Sequence, residues 1–403
     1  MIRGRPLQYA MVLLLACLAA CTDHERWEAI IDRTLTLDSV KTIKHVYWEE
    51  QTGVSYNVLI WWDGHLLCKR DVQHDTSVKL NFLQEVDLAN HVVRPFSIGS
   101  FSRVHEVASG QGAVAALVDS NGLRVLWRKR PGSNFTDIGI PDSFRMPSGY
   151  STKHIAVCST AVLLVYGDSV YSWLESSTSW RRSILGPSNF EFGFGAYTEI
   201  IPSPYGTDTS FILANDIGEW GGSCFRVRLA PTGEVFLDRI LADDNCQFLF
   251  SDRRSRLWMV GSLFHMRINH SWIRTVEDSI SVTIMNQEAS YLDSVSTRLR
   301  TRNGPSVVLN ETGFISGACM TDTSLLFMYE DSGIFELRVQ PGFYTPQSAL
   351  RQLLRIKRPR GSHWRMLIAD DRNGGVIIAP GLGGLLHVAS LHDRPRFMKI
   401  GDQ

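Results

Sequence analysis

The stretch AVLLVYGDSVYSWLESSTSWRRSIL, Ala161 to Leu185, decides how the rest of the chain is read. A short apolar run ends at Tyr166, Gly167-Asp168 supplies turn residues, and a second run follows from Ser169. A polar turn at Ser176 to Ser179 then leads into a third run. Short β-branched or aromatic segments separated by Gly, Asp or Asn read as antiparallel hairpins. The same grammar recurs in YNVLIWWDGHLLCKR (56–70), AVAALVDSNGLRVLWRKR (113–130), SFILANDIGEWGGSCFRVRL (210–229), SRLWMVGSLFHMRI (255–268), SLLFMYEDSGIFELRV (324–339) and GGVIIAPGLGGLLHVAS (374–390).

First strands begin near residues 57, 113, 161, 210, 256, 324 and 375, so successive steps are about 56, 48, 49, 46, 68 and 51. A period near 50 with four short strands per unit is the signature of a radial array. The expectation is an all-β chain folded as a β-propeller of four-stranded antiparallel sheets. Seven blades fit the spacing, and six or eight also satisfy it. A β-sandwich is the rival, but this length would demand two domains and gives no reason for the repeat. The long step before Ser324 predicts an insertion within 277–320.

A third feature follows two of the hairpins. In GDSVYSWLESSTSWRRSIL (167–185) a polar turn leads to Trp180, and in LRVLWRKRPGSNFTDIGIP (123–141) Phe135 takes the equivalent place. This resembles the repeat of Asp-box (BNR) propellers, whose turn reads Ser-x-Asp-x-Gly-x-Thr-Trp. Ser176-Ser177-Thr178-Ser179-Trp180 keeps the hydroxyls and the Trp and lacks the Asp and Gly. Large aromatics at such places are expected to fill the wedge between neighbouring blades, because a four-stranded sheet cannot bury both faces alone.

The N-terminus carries Arg3 and Arg5, then ten apolar residues, Met11 to Ala20. A helix needs about 20 residues to cross a bilayer, so this run is too short for an anchor. Charge, apolar core and small residues make the tripartite layout of a secretory signal. Leu18-Ala19-Ala20-Cys21 resembles the lipobox of bacterial lipoproteins. That resemblance implies a thioether-linked diacylglyceryl group on Cys21, cleavage before it, and N-acylation. Multiple chains make such anchoring stable. By the sorting pattern of that family, Thr22 favours the outer membrane, with the chain on its periplasmic face, and Asp23 keeps the inner membrane as the second choice. The expected organisation is a signal peptide (1–20), a lipidated tether or short helix (21–42) and the propeller (43–403).

Forty-one basic and 41 acidic residues balance, so no global field draws the chain to nucleic acid. Cys68, Cys158, Cys224, Cys246 and Cys319 remain after processing, an odd number. Cys224 and Cys246 flank a hairpin and are the candidate disulfide in an oxidising compartment. The other reading makes each of the five a buried small apolar residue. No CxxC or HExxH occurs, so no metal is implied, and no cofactor is expected.

Two stretches read as helical. Asp23 to Arg33 suits a short helix. TPQSALRQLLRIKRPRG (345–361) offers Thr345 as N-cap, Pro346 at N1, and Leu350, Leu353 and Leu354 on one face until Pro359, giving a helical insertion near 345–360. Arg351, Arg355, Lys357, Arg358 and Arg360 make its end basic. Such charges complement the helix dipole or contact anionic headgroups or an acidic partner.

No GxSxG elbow or phosphate loop is present. Asp243-Asp244 and Asp370-Asp371 precede turns, where Asp bonds to backbone, and His363, His387 and His392 fall in the last unit. The leading expectation is a lipid-tethered, non-enzymatic scaffold that binds a protein partner in the cell envelope, as an assembly factor or as an immunity protein against a toxin. The alternative is a glycan or cell-wall hydrolase or lyase with paired carboxylates at the channel mouth.

Overall fold

The computed structural model describes most of residues 27–400. Residues 1–26 and 401–403 lie outside the description. So do 145–153, 185–198, 291–297, 300–306, 309–314, 339–349, 355–366, 371–375, 380–385, 389–395 and shorter gaps at turns. The elements formed by the described residues are all strands.

Among them are seven sheets of at least four strands, each taken in sequence order and antiparallel within the four. Their first strands are Val54–Trp62, Arg103–Gly110, Ile155–Val157, Glu199–Pro202, Phe248–Ser251, Ile315–Met320 and Leu367–Asp370. These touch one another in that order, and the seventh touches the first, so the inner strands close a ring. The fold is a β-propeller, and the sheets are blades 1 to 7 below. Lys399–Ile400 pairs in parallel with Val92–Pro95, the outer strand of blade 1, and so seats the chain's last strand on its first blade.

Both faces of a blade are buried, which explains the runs of Val, Leu and Ala in the second strands. In Ala161–Tyr166, Val162 and Leu164 join the apolar cluster shared with blade 2, while Ala161, Leu163 and Val165 join the one shared with blade 4. Each fully buried Leu or Val contributes about 1.5–3 kcal/mol. The wedge between blades 2 and 3 also holds Trp127 against Trp173, ring centroids 4.9 Å apart. Trp180 packs there and donates its indole N–H to the carbonyl of Ile138 at 2.9 Å. Phe135 packs one wedge earlier, between blades 1 and 2. The two aromatics singled out by the repeat are thus wedge fillers.

Second strands begin at His65, Ala113, Ala161, Ser210, Leu257, Ser324 and Val376, in steps of 48, 48, 49, 47, 67 and 52. The hairpin at 56–70 joins first and second strands, whereas the later ones join second and third. That one-strand change of phase accounts for the expected first step of 56. The long fifth step holds extended outer strands, Ile268–Glu277 and Ile280–Ser290, and a small sheet of Arg298–Leu299 with Val307–Val308.

Both helical expectations are corrected. Trp27–Leu35 is a strand paired antiparallel with Ser39–Trp48, in register from Trp27↔Trp48 to Leu35↔Ser39. A bulge falls between Ala29 and Ile31, and the β-branched Ile31 and Thr34 suit the pairing beyond it. Leu350–Leu354 is the fourth strand of blade 6, paired with Gly333–Arg338, and Leu353 is the extra residue of a bulge. An incomplete blade would leave the backbone edge of Gly333–Arg338 without its ladder, and that tertiary demand outweighs the helical spacing of the leucines.

Candidate functional site

The outer wall of blades 3 and 4 gathers the most distinctive surface chemistry among the described residues. Its outer strands are Ser179–Ile184 and Val235–Ala242. A tight turn at 230–234 ends the third strand of blade 4, with Gly233 in the left-handed region at φ +82°. Its N–H donates to the Ala230 carbonyl at 2.8 Å, and its own carbonyl accepts from Ser172 Oγ of blade 3 at 2.9 Å. Arg181 lies over this turn. A Cβ on Gly233 would meet Arg181 Cδ at 2.7 Å.

Among the described residues the exposed large hydrophobic side chains are Ile184 and Phe236, at 64% and 46%, one on each of these outer strands. Ile184 pairs with Ser169 on the face turned to blade 2, and Phe236 with Arg228 on the face turned to blade 5. Guanidinium groups flank them. Arg182 stacks over Tyr171 and donates to Ser169 Oγ, while Arg228 lies over Phe236 and bonds Asp238 at 2.8 Å. Arg239 covers the buried ring of Phe225. An exposed strand edge with apolar side chains and arginines can take up an extended segment of another chain by backbone pairing. Arginine beside aromatic residues is also the chemistry enriched at protein interfaces.

The sites expected from sequence do not converge there. Cys21, Arg355, Lys357, Arg358 and Arg360 lie outside the described residues, and Arg351 sits on a strand, in register with Glu336. Asp243, Asp244, Asp371, His363 and His392 also fall outside; Asp370 ends the inner strand of blade 7, and His387 is on its third strand. Among the described residues no group of three or more His, Cys, Asp or Glu side chains is placed to hold a metal ion.

Cys224 and Cys246 are brought together, as reduced thiols. Both are fully buried in the apolar cluster between blades 4 and 5. The Cys246 thiol is pushed well above its ordinary range, first by burial and then by its hydrogen bond to Cys224.

Two polar sites escaped the sequence reading. Asp252, in the turn between the first two strands of blade 5, accepts the backbone N–H of Arg254 (2.8 Å) and of Arg256 (3.1 Å). It also accepts the Arg256 guanidinium (2.5 Å) and the Trp258 indole (3.0 Å). Ser255 adopts a left-handed φ of 61° to close this turn. Burial opposes the charge, but these bonds hold the Asp252 carboxyl below its usual range. The available signal was an Asp opening a turn with a Trp six positions later. Glu106, on the inner strand of blade 2, is spent on the backbone amides of His154 and Ile155 in blade 3.

Neither a protein-family model nor a curated protein sequence matches the chain. Among solved structures it is similar to the extracellular domain of a hybrid two-component system from B. thetaiotaomicron, at 11% identity and TM-score 0.44, over 88% of this chain and 39% of that one. The chain therefore spans well under half of that protein. It is similar to YCF48, solved bound to D1 peptide, at 11% identity and TM-score 0.44, over 91% of this chain and 96% of that one. Hsv2 of Kluyveromyces lactis gives 10% identity and TM-score 0.43, over 83% and 93%. At such distances the fold assignment rests on the ring of sheets itself.

Proposed function

We propose that this protein is a lipid-tethered β-propeller of the bacterial cell envelope that binds a protein partner without catalysing a reaction. The single observation that supports binding is the outer wall of blades 3 and 4, where each outer strand sets an exposed apolar side chain beside an arginine, Ile184 with Arg182 and Phe236 with Arg228. The lipobox-like Leu18-Ala19-Ala20-Cys21 supports the tether. Acylated Cys21 holds the chain at the outer membrane's periplasmic face, and the ring offers its wall to an envelope protein within reach.

Photo-crosslinking side chains placed at 184 and 236 test the wall, with Asn90, exposed on blade 1, as a polar control away from it. A discrete adduct from 184 or 236 and none from 90 is expected in intact envelopes. Equal labelling at all three positions, or none, would refute the docking wall. Intact mass of the same preparation tests the tether, since a chain that begins at Met1, or at an unmodified Cys21, would refute lipidation.

A further inference from the structure

We propose that Cys224 and Cys246 form a disulfide that ties blade 4 to blade 5 when the chain folds in an oxidising compartment. Cys224 lies on the third strand of blade 4, Gly222–Leu229, directly before a bulge and in register with Ala214 of the second strand. Cys246 enters blade 5 just ahead of Phe248–Ser251, and its N–H donates to the carbonyl of Asn215, the neighbour of Ala214, at 3.1 Å. The two backbones are therefore fastened one residue from the register partner of Cys224. Both side chains are 0% exposed in one cluster with Ile212, Leu249, Leu257 and Met259. The Cys246 thiol donates to the Phe248 carbonyl at 3.9 Å within the same cluster that holds Cys224.

This pair differs from the other cysteines in its setting. Cys158 belongs to the wedge between blades 3 and 4, and its thiol lies 3.8 Å from Thr160 Oγ1. Cys68 and Cys319 are buried in blades 1 and 6. Of the five, Cys224 and Cys246 are the two that share the wedge between blades 4 and 5.

The oxidant is a disulfide of a second molecule, either a protein thiol–disulfide oxidoreductase or oxidised glutathione. One cysteine thiolate attacks it, forming a mixed disulfide and releasing one thiolate of the oxidant. The second cysteine then attacks the first cysteine's sulfur and releases the other thiolate. The two protons lost by Cys224 and Cys246 end on the two sulfurs of the reduced oxidant, so atoms and electrons balance. Because the closed wedge buries both thiols, exchange takes place before blades 4 and 5 close on each other. The oxidising compartment is the one assigned under the proposed function, and on that the inference rests.

The experiment has two arms on the full chain. In the first, purified protein is reduced, opened in partial denaturant and refolded with oxidised and reduced glutathione. It is then denatured, alkylated with N-ethylmaleimide and weighed, with the thermal melt confirming refolding. The expected product is two hydrogens lighter than the reduced chain, carries alkyl groups on Cys68, Cys158 and Cys319 (and on Cys17 and Cys21 where residues 1–20 are retained), and yields a peptide linking Cys224 to Cys246 on non-reducing digestion. Cys224→Ser restores alkylation at Cys246. Refolded protein that alkylates at both Cys224 and Cys246 overturns the proposal, whatever the compartment. In the second arm, protein from isolated envelopes is alkylated directly and its N-terminal mass is read. A linked pair supports the proposal. Alkylation of both cysteines in chains that begin at lipidated Cys21 overturns it while export stands. Retention of residues 1–20 overturns export instead, and the refolding arm alone then decides the disulfide.

Discussion

The Glu106 carboxylate of blade 2 accepts the backbone N–H of His154 in blade 3, with its two oxygens 3.1 and 3.0 Å from the nitrogen. Ile155 adds a third contact at 3.4 Å. Glu106 is 5% exposed, so peptide dipoles rather than water solvate its charge. Removing it leaves buried amides without their acceptor, which is the costly half of a hydrogen bond. Glu106→Ala is expected to lose about 2 kcal/mol of stability, and Glu106→Gln, which keeps one acceptor oxygen, about half as much. Urea denaturation measures both. A Glu106→Ala midpoint equal to wild type would remove this link between the blades.

Asp252 makes stability depend on pH with a definite sign. Its carboxyl is held below the ordinary 3.8 in the folded chain, because the bonds from Trp258, Arg256 and Arg254 outweigh burial. A depressed folded value means that the contribution is complete above the unfolded value and is lost as pH falls through the folded one. At neutral pH Asp252→Asn is expected to cost about 1–3 kcal/mol. Below about pH 4 the gap between variant and wild type should shrink. Denaturation at pH 7 and pH 3 checks this, and a constant gap would assign Asp252 a role independent of its charge.

The hairpins were legible because a blade buried on both faces demands apolar residues at every position of its second strand, as in Ala161–Val165. The wedge role of Trp180 and Phe135 was legible for the same reason. Leu350, Leu353 and Leu354 were not, since their spacing suits a helix until the edge of Gly333–Arg338 is known to need a partner. Glu106 and Asp252 stayed hidden for another reason. Their partners include backbone amides, and in the case of Glu106 those amides lie almost 50 residues away, so no side-chain spacing betrays them. Cys224 and Cys246 flank one hairpin, and the structure seats both in the cluster between blades 4 and 5.

Gly261 is a packing requirement. A Cβ there would lie 2.0 Å from the Asn245 carbonyl oxygen and 2.1 Å from the Trp272 ring. The carbonyl belongs to backbone and cannot swing aside, and Trp272 is 1% exposed within the wedge between blades 4 and 5. Gly261→Ala is expected to cost about 3 kcal/mol or more. Gly112→Ala is the control, with open space but φ +79°, and should cost only about 1–2 kcal/mol. Thermal melts of the pair check the order, and equal losses would show that crowding at Gly261 is relieved by backbone movement.

Ile184 and Phe236 separate binding from folding. Both are already in solvent, so their replacement removes little from the core. The double variant Ile184→Ser, Phe236→Ser is expected to keep its stability within about 0.5 kcal/mol of wild type. A partner that buries both side chains would lose at least about tenfold in affinity, each decade being about 1.4 kcal/mol. Arg182→Glu with Arg228→Glu reverses the charge beside each of them. If the partner is acidic there, these changes slow association most strongly at low salt, because the steering field is screened at high salt. Capture of the partner from solubilised envelopes by wild type and by each variant makes the comparison. Equal capture by the double serine variant would move the docking surface away from blades 3 and 4, whereas loss of capture without loss of stability assigns the exposed apolar pair to the partner.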